Sequence, residues 1–414
     1  MWKSTATGHD QRRTVTWVLL VVALLLATAL GAYAYGRSQS PAGLGKQDRE
    51  SLALYAQALD AVRDDYVDQE AIDSKKQTYG AIEGMLDTLG DEGHTRFLTP
   101  EERVENREGL SGTYVGIGIQ LEEKDGAVVV ASPIEGSPAD RAGIEAGDIV
   151  VAVDGKSVRE ESVTQVVERV KGPEGTQVKL TVSRSGEERV FDLERAEIES
   201  PVASWTMIPS SDVAFVRLSS FSDDSAEKLG QAFEEARLAG ARRFILDLRN
   251  NPGGRLEQAV QMAGDFLEPG SVVYVREDAS GGREEIKADG GAERTDAPMA
   301  VLVNGGTASS SEILAGALRD NDRATVIGET TFGTGTVLSE FVLRDGSAIL
   351  LGVAEWLTPN GDFIRETGIE PDVRVPLAPD DHPLTPSEAR DLSREEILER
   401  DAQLARALEN LRGH

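Results

Sequence analysis

Three serines, Ser309, Ser310 and Ser311, stand between the glycine pair of "VLVNGGTASSSE" and the run "EILAGALRDN", whose apolar spacing predicts a helix. A strand, a Gly-Gly turn and a helix start place a hydroxyl at a strand end, with the first N–H groups of the helix beside it. Such geometry suits a nucleophile whose reaction develops negative charge on a neighbouring oxygen. The same residues also suit an ordinary N-cap, with Ser310 or Ser311 capping and Glu312 nearby. A second glycine turn, "LRNNPGG" from Leu248 to Gly254, is placed to supply one more N–H to such a site, or to be no more than a turn.

A chain of 414 residues is long enough for two or three domains with cores of their own. Its 72 acidic residues exceed its 43 basic ones, for a net charge of -29, a surface that repels phosphate backbones and argues against a nucleic-acid partner. With no cysteine there are no disulfides, thiolate nucleophiles or Cys-ligated metals. The sequence implies neither metal nor cofactor. Histidine is confined to His9, His94, His382 and His414, and the last lysine is Lys287. His94 sits in a loop and reads as a local hydrogen-bonding residue.

From Thr14 to Gly36 the chain is uncharged, about 23 residues that suffice to cross a hydrocarbon core at about 1.5 Å rise each. Lys3, Arg12 and Arg13 precede the run and only Arg37 follows closely, so the positive-inside bias leaves the stub in the cytoplasm and the bulk outside. The expectation is a single-pass anchor in the cell membrane. The alternative is secretion after signal cleavage, with "AYA" at Ala32 to Ala34 as a small-x-small site.

After the linker "RSQSPAGLGKQ", "SLALYAQALDAVRDDYV" and "TYGAIEGMLDTL" are spaced as helices. From Gly112 to Val158 strand-like runs alternate with glycine turns, and "YVGIGIQL" with "GSPADRAGIEAGDIVVAVDG" resembles a PDZ domain. That resemblance continues through "VTQVVERV" and "KGPEGTQVKLTVSR". It implies that Gly116, Ile117, Gly118 and Ile119 receive a terminal carboxylate while the peptide adds to an open sheet edge, with Lys171 as a nearby positive charge or a plain surface lysine. Beyond Arg195 strands and helices alternate, which predicts a mixed α/β sheet with its working residues at strand ends. The tail "SREEILERDAQLARALENL" is dense in charge and predicts a solvated terminal helix.

"ILDLRNNPGG", "VLVNGGTASSSEILAGALRDNDRATVIGETTFGTG" and "GIEPDV", downstream of the PDZ-like segment, resemble the C-terminal processing (tail-specific) serine peptidases of the S41 type. The similarity runs from about Leu52 to the end. It implies Ser309 as nucleophile, the Ser310 N–H with that of Gly253 or Gly254 as oxyanion hole, and Asp320 as a supporting residue. Where the family carries "TFGKGxVQ", with a lysine as general base and a glutamine that orients it, this chain has "TFGTGTVL", putting Thr334 and Leu338 at those positions. A threonine hydroxyl cannot take a proton near neutral pH as a desolvated lysine can.

The expected fold is an α+β multidomain chain. It comprises a cytoplasmic stub and transmembrane anchor (1–36), a linker and helical N-terminal domain (37–105), a PDZ domain (106–195), a mixed α/β peptidase core (196–380) and a charged C-terminal helix (381–414). Its expected partners are protein or peptide C-termini, and the membrane through the N-terminal helix. Three functions stay open: endopeptidase cleavage near C-termini, a pseudopeptidase that binds tails, and a scaffold that forms homo-oligomers.

Overall fold

The computed structural model describes residues 45–91, 94–124, 126–134, 136–159, 161–199, 201–290, 296–377 and 383–413. The expected membrane segment lies outside these residues, and none of the described helices is long and apolar enough to cross a membrane. The chain divides into two units, through Gly80 and from Ala81 onward. The first holds α1 (Lys46–Asp65), which buries none of its residues, and the start of α2 (Ser74–Asp87).

In the second unit, β1 (Arg96–Leu98) and α3 (Pro100–Ser111) lead into β2 (Thr113–Gly116). A compact β domain follows, with β3 (Ile119–Lys124), β4 (Ala127–Pro133), α4 (Pro138–Ala142), β5 (Ile149–Val153), β6 (Lys156–Ser157), α5 (Val163–Val170), β7 (Gln177–Arg184) and β8 (Glu187–Glu194). The strands order as β3-β4-β5-β7-β8, with β6 paired to β5, so β3 is an edge strand. Val166 and Val170 of α5 pack with Ile117, Val130, Val150 and Leu180 in its core. β9 (Ala196–Glu199) returns to pair antiparallel with β2, closing the domain with a two-stranded ribbon.

One ion pair ties this small core together. Arg184 donates to both oxygens of the fully buried Asp148 at 2.6 Å, and Asp148 also accepts the Glu145 N–H at 3.0 Å. Burial alone pushes the Asp148 carboxyl up, but the Arg184 guanidinium and the Glu145 N–H outweigh it and hold the group below its ordinary 3.8. A depressed carboxyl gives stability that is present above the unfolded-state value and lost as pH falls through the folded one. The domain is therefore expected to lose stability steadily below about pH 4, and Asp148→Asn to flatten that dependence in pH-resolved thermal melts. An identical pH slope in the variant would refute the assignment.

The remaining strands and helices are β10 (Ala203–Met207), β11 (Val213–Leu218), α6 (Ser225–Leu238), β12 (Arg243–Asp247), α7 (Leu256–Phe266), β13 (Val272–Asp278), β14 (Arg283–Lys287), β15 (Met299–Val303), α8 (Ser310–Asp320), β16 (Thr325–Gly328), β17 (Thr336–Val342), β18 (Ala348–Leu357), β19 (Val373–Arg374), α9 (Pro386–Arg390), α10 (Arg394–Arg400) and α11 (Ala402–Asn410). Six strands order as β10-β11-β12-β15-β16-β19, parallel except for β10. A parallel sheet buried on both faces explains the apolar runs Phe244 to Leu246 and Met299 to Val303. Ala214, Leu246 and Val301 face α6, α7 and α8, while Phe215, Ile245 and Leu302 face the other way.

That opposite face is covered by the C-terminal segment, which corrects the expectation of one solvated helix. α9, α10 and α11 bury Ala389, Ile397, Leu404, Ala407 and Leu408 against the sheet. The charges that made the segment look solvated lie on the outer sides of these helices, apart from Asp401. Its buried carboxylate caps α11 and receives Arg249 Nη1 at 2.8 Å. A second sheet orders as β1-β18-β13-β14, with β17 paired antiparallel to β18.

Candidate active site

β12 and β15 lie side by side and parallel, so the turns that leave them, Leu248 to Gly254 and Asn304 to Ala308, emerge at the same edge of the sheet. Polar side chains lace the two turns together. Asn304 Oδ1 accepts the Asn250 N–H at 2.9 Å while its Nδ2 donates to Asn250 Oδ1 at 2.8 Å, and Thr307 Oγ1 donates to the Leu248 carbonyl at 2.8 Å. Ser310 Oγ donates to the Gly254 carbonyl at 3.1 Å and Ser311 Oγ to the Asn251 carbonyl at 3.0 Å. Two of the three serines are thus cross-braces.

Ser309 is different. It occupies the N-cap of α8 with φ 55° and ψ -122°, a conformation that costs a non-glycine residue about 1–3 kcal/mol and persists only where the surroundings impose it. Its hydroxyl makes no capping hydrogen bond. The N-cap is therefore Ser309 and not Ser310 or Ser311 as expected, because the helix starts at Ser310 and those two serines lie in its first turn.

Gly253 lies directly against it. A Cβ there would sit 2.7 Å from the Ala308 carbonyl oxygen and 2.8 Å from Ser309 Cβ, and φ is 91°, so the turn approaches the serine only because it carries glycine. The Gly253 N–H is already committed to Asn251 Oδ1 at 2.9 Å. The N–H groups of Gly254 and Ser310 have no acceptor among the described residues.

Glu312, one turn into α8, is fully buried, and all its acceptor capacity is used. Oε1 accepts from Thr331 Oγ1 at 2.6 Å and the Gly333 N–H at 2.7 Å; Oε2 accepts from the Thr334 N–H at 3.0 Å and the Ser309 N–H at 2.8 Å. This carboxylate clamps the "TTFGT" loop to the serine. Sequence reasoning saw in Glu312 only a cap partner, because an acidic residue at the third position of a helix is the usual sign of one.

Thr334 is buried, and its Oγ1 accepts the Ser309 N–H at 3.0 Å. The structure thus brings Thr334 to the serine, and among the described residues no lysine or histidine is hydrogen-bonded to Ser309. Lys287 is on β14, ion-paired to Glu285. The His94 ring meets Phe332 edge-on at 5.7 Å between centroids, with Nδ1 at 3.6 Å from Asp91 Oδ1. Leu338 lies farther along β17, 39% exposed, with no polar atom to offer. Asp320 is at the far end of α8, about 16 Å of helix rise from Ser309. There it accepts from Arg319 and from the Asn360 N–H at 3.1 Å, bracing a loop and not the serine's own surroundings.

In the β domain, Gly116 ends β2, Ile119 opens the edge strand β3, and the N–H groups of Ile117 and Gly118 between them have no acceptor among the described residues. Both residues are buried, where unpaired N–H groups are uncommon. Gly118 has φ 77°, and a Cβ on it would overlap Ser137. Lys171 caps α5 through its own N–H, and its side chain is exposed. A cation that sequence reasoning passed over, the buried Arg195, binds the last carbonyls of α5, with Nε on Val170 O at 2.7 Å and Nη2 on Arg169 O at 3.3 Å.

Residues 212–375 match the profile of Peptidase family S41 and residues 129–184 that of the PDZ domain. The "Carboxy-terminal processing protease CtpA" of Bacillus subtilis (strain 168) is 36% identical over 372 residues, covering 89% of this chain and 78% of that protein. Among solved structures, the photosystem II D1 C-terminal processing protease is 32% identical, with a TM-score of 0.49, over 83% of this chain and 97% of that one. An S41-family structure from Bacteroides fragilis NCTC 9343 is 17% identical with a TM-score of 0.50, over 77% and 89%, a likeness of fold.

Proposed function

From the premise that this chain belongs to the C-terminal processing proteases of peptidase family S41 and carries a PDZ domain, we propose that it captures polypeptide C-termini and holds them for a serine site of attenuated activity. The observation that carries the reading is a pair of unused amides in each of two places. Ile117 and Gly118 offer N–H groups at the mouth of the edge strand β3, placed to receive a terminal carboxylate while the peptide pairs with that edge. Gly254 and Ser310 offer N–H groups beside the unused Ser309 hydroxyl, the arrangement that stabilises a tetrahedral oxyanion after attack on a carbonyl. Of the two glycines considered for that role, Gly254 is the one whose N–H is free.

Ser309 Oγ attacks the scissile carbonyl, the carbonyl oxygen takes the negative charge between the Gly254 and Ser310 amides, collapse breaks the C–N bond and expels the amine carrying the proton the serine gave up, and water then hydrolyses the acyl-enzyme. The step these residues do not supply is removal of the serine's proton. Thr334 fills the general-base position with a group that cannot accept a proton near neutral pH, so turnover is expected to be slow although the nucleophile and its oxyanion donors are in place. This specific substitution favours tail binding as the dominant activity. We further propose that the chain is anchored by Thr14–Gly36 and works outside the cytoplasm.

Tail capture is tested with the full-length Ser309→Ala protein and one unstructured peptide, prepared with a free and with an amidated C-terminus. The free acid is expected to bind at least about tenfold more tightly, the equivalent of one charge-assisted contact. Equal affinities would remove carboxylate recognition from this proposal.

A further inference from the structure

β17 leaves the active-site loop with one of its edges open. It starts at Thr336, two residues after Thr334, and pairs with β18 from Thr336 opposite Glu355 to Val342 opposite Ala348. Among the described residues no strand pairs with its other side. Alternation fixes which groups point outward. The Gly335 carbonyl accepts from the Trp356 N–H at 3.0 Å and the Leu343 N–H donates to Ser347 O at 2.7 Å, so the odd-numbered residues bond to β18. The N–H and C=O groups of Thr336, Leu338, Glu340 and Val342 therefore face away from it, and none has a partner among the described residues.

Proteins usually blunt such an edge with proline, lysine or a covering segment. This strand carries neither residue. Its charge, Glu340, is neutralised by Arg103 at 2.6 Å and Arg107 at 3.2 Å, and Leu338, Phe341 and Val342 are exposed by 39, 48 and 53%. The edge is apolar, close to uncharged and continuous with the loop that touches Ser309. At about 3.4 Å per residue, Leu338 lies roughly four residues of extended chain from Thr334.

We propose that this open edge of β17 is the docking strand for the polypeptide segment that enters the serine site, which adds to the sheet in extended form. The recognised chemistry is a main chain free to bond from alternate residues, with apolar side chains set against Leu338 and Val342. Proline at the bonding positions is excluded, since it has no N–H to give. The proposal rests on the reading that Ser309 faces a polypeptide, and it is independent of how fast that polypeptide is cut.

The test is amide hydrogen exchange of the full-length Ser309→Ala protein, with and without a saturating twelve-residue unstructured peptide of Ser, Ala, Val and Thr whose C-terminus is amidated. Exchange at Thr336, Leu338 and Glu340 is expected to slow at least about tenfold. Val337, Ser339 and Phe341, already bonded to β18, should change far less. Leu338→Pro deletes an outward N–H while sparing the β18 pairing, and should abolish protection at Thr336 and Glu340; Leu338→Ala, with the main chain intact, should retain it. Protection of Ile119 in the PDZ domain with β17 unchanged would overturn the proposal, and would also show that the PDZ edge takes a peptide without its carboxylate. Protection of β17 that rises with protein concentration in the absence of peptide would also overturn it, and assign the edge to a second copy of the chain. Protection of β17 without protection at Ile119 is the expected pattern, because the amidated peptide lacks the carboxylate that the PDZ amides would receive.

Discussion

Replacing Thr334 with lysine and Leu338 with glutamine should raise hydrolysis of an unstructured polypeptide such as labelled casein by about 10²–10⁴-fold over the natural chain. The natural chain itself should differ little from Ser309→Ala. The argument is one of completeness. Ser309 already holds its strained conformation, the Gly254 and Ser310 amides have no acceptor among the described residues, and the Gly253 turn lies against the serine, so on the proposed reading a proton acceptor is the part to restore. A lysine placed at this buried position would be pushed toward neutrality by desolvation. Glu312 is the one carboxylate bonded at the site, and its oxygens are already saturated by four donors, so it has no free lone pair with which to trap the ammonium. Adding Ser309→Ala to the double variant should return the rate to baseline. A folded double variant without activity would show that the site no longer accepts a scissile bond, and would leave tail binding as the whole function. Normal hydrolysis by the natural chain, abolished by Ser309→Ala, would overturn the attenuation and make His94, which packs on Phe332 of the same loop, the first group to test as base.

The second large effect lies behind the site. Asp401→Ala should cost about 3–5 kcal/mol of stability, because it leaves the enclosed Arg249 with one carboxylate partner, Asp247, that is shared with Arg217. Arg249 is fully enclosed; it donates through Nε to Asp247 at 2.8 Å and through Nη1 to Asp401 at 2.8 and 3.0 Å. Burial works against its charge, but the two carboxylates outweigh burial and hold its pKa above the ordinary arginine value. Asp401 also accepts the Leu404 and Leu384 N–H groups, so the substitution removes a helix cap as well. Urea unfolding followed by tryptophan fluorescence should show the loss, while Glu409→Ala on the outer face of α11 should change the midpoint by no more than about 0.5 kcal/mol equivalent. A midpoint shift in Asp401→Ala as small as that of the control would mean that Arg249 finds water or another partner.

Much of the fold was legible because its signals are local. Apolar runs such as "MAVLV" bounded by glycine turns can only be strands buried on both faces, and the alternation with helices follows from the topology such a sheet requires. The approach of Thr334 to Ser309 was also foreshadowed, since both residues stand at fixed places in a motif and the Thr334 hydroxyl accepts the Ser309 N–H. What escaped was whatever a residue does at a distance. Glu312 reads as a cap partner until the loop at Thr331 to Thr334 is folded onto it. Asp401 reads as one more tail charge until Arg249, 152 residues earlier, is placed beside it. Asp320 matched a motif by type, yet the rise of a helix carries it away from the serine. The open edge of β17 has no sequence signature, because an edge is defined by a strand that is absent.

The Arg249–Asp401 pair also ties the site to the C-terminal helices. Arg249 immediately precedes the Asn250 to Gly254 turn that supplies the proposed oxyanion donor, and its second carboxylate comes from Asp401, 152 residues later. Without α9 to α11, Arg249 would keep Asp247 as its carboxylate partner but lose Asp401, and the second face of the sheet would be uncovered. The turn beside Ser309 and the helices that cover the far face of the sheet are thus coupled through one buried pair.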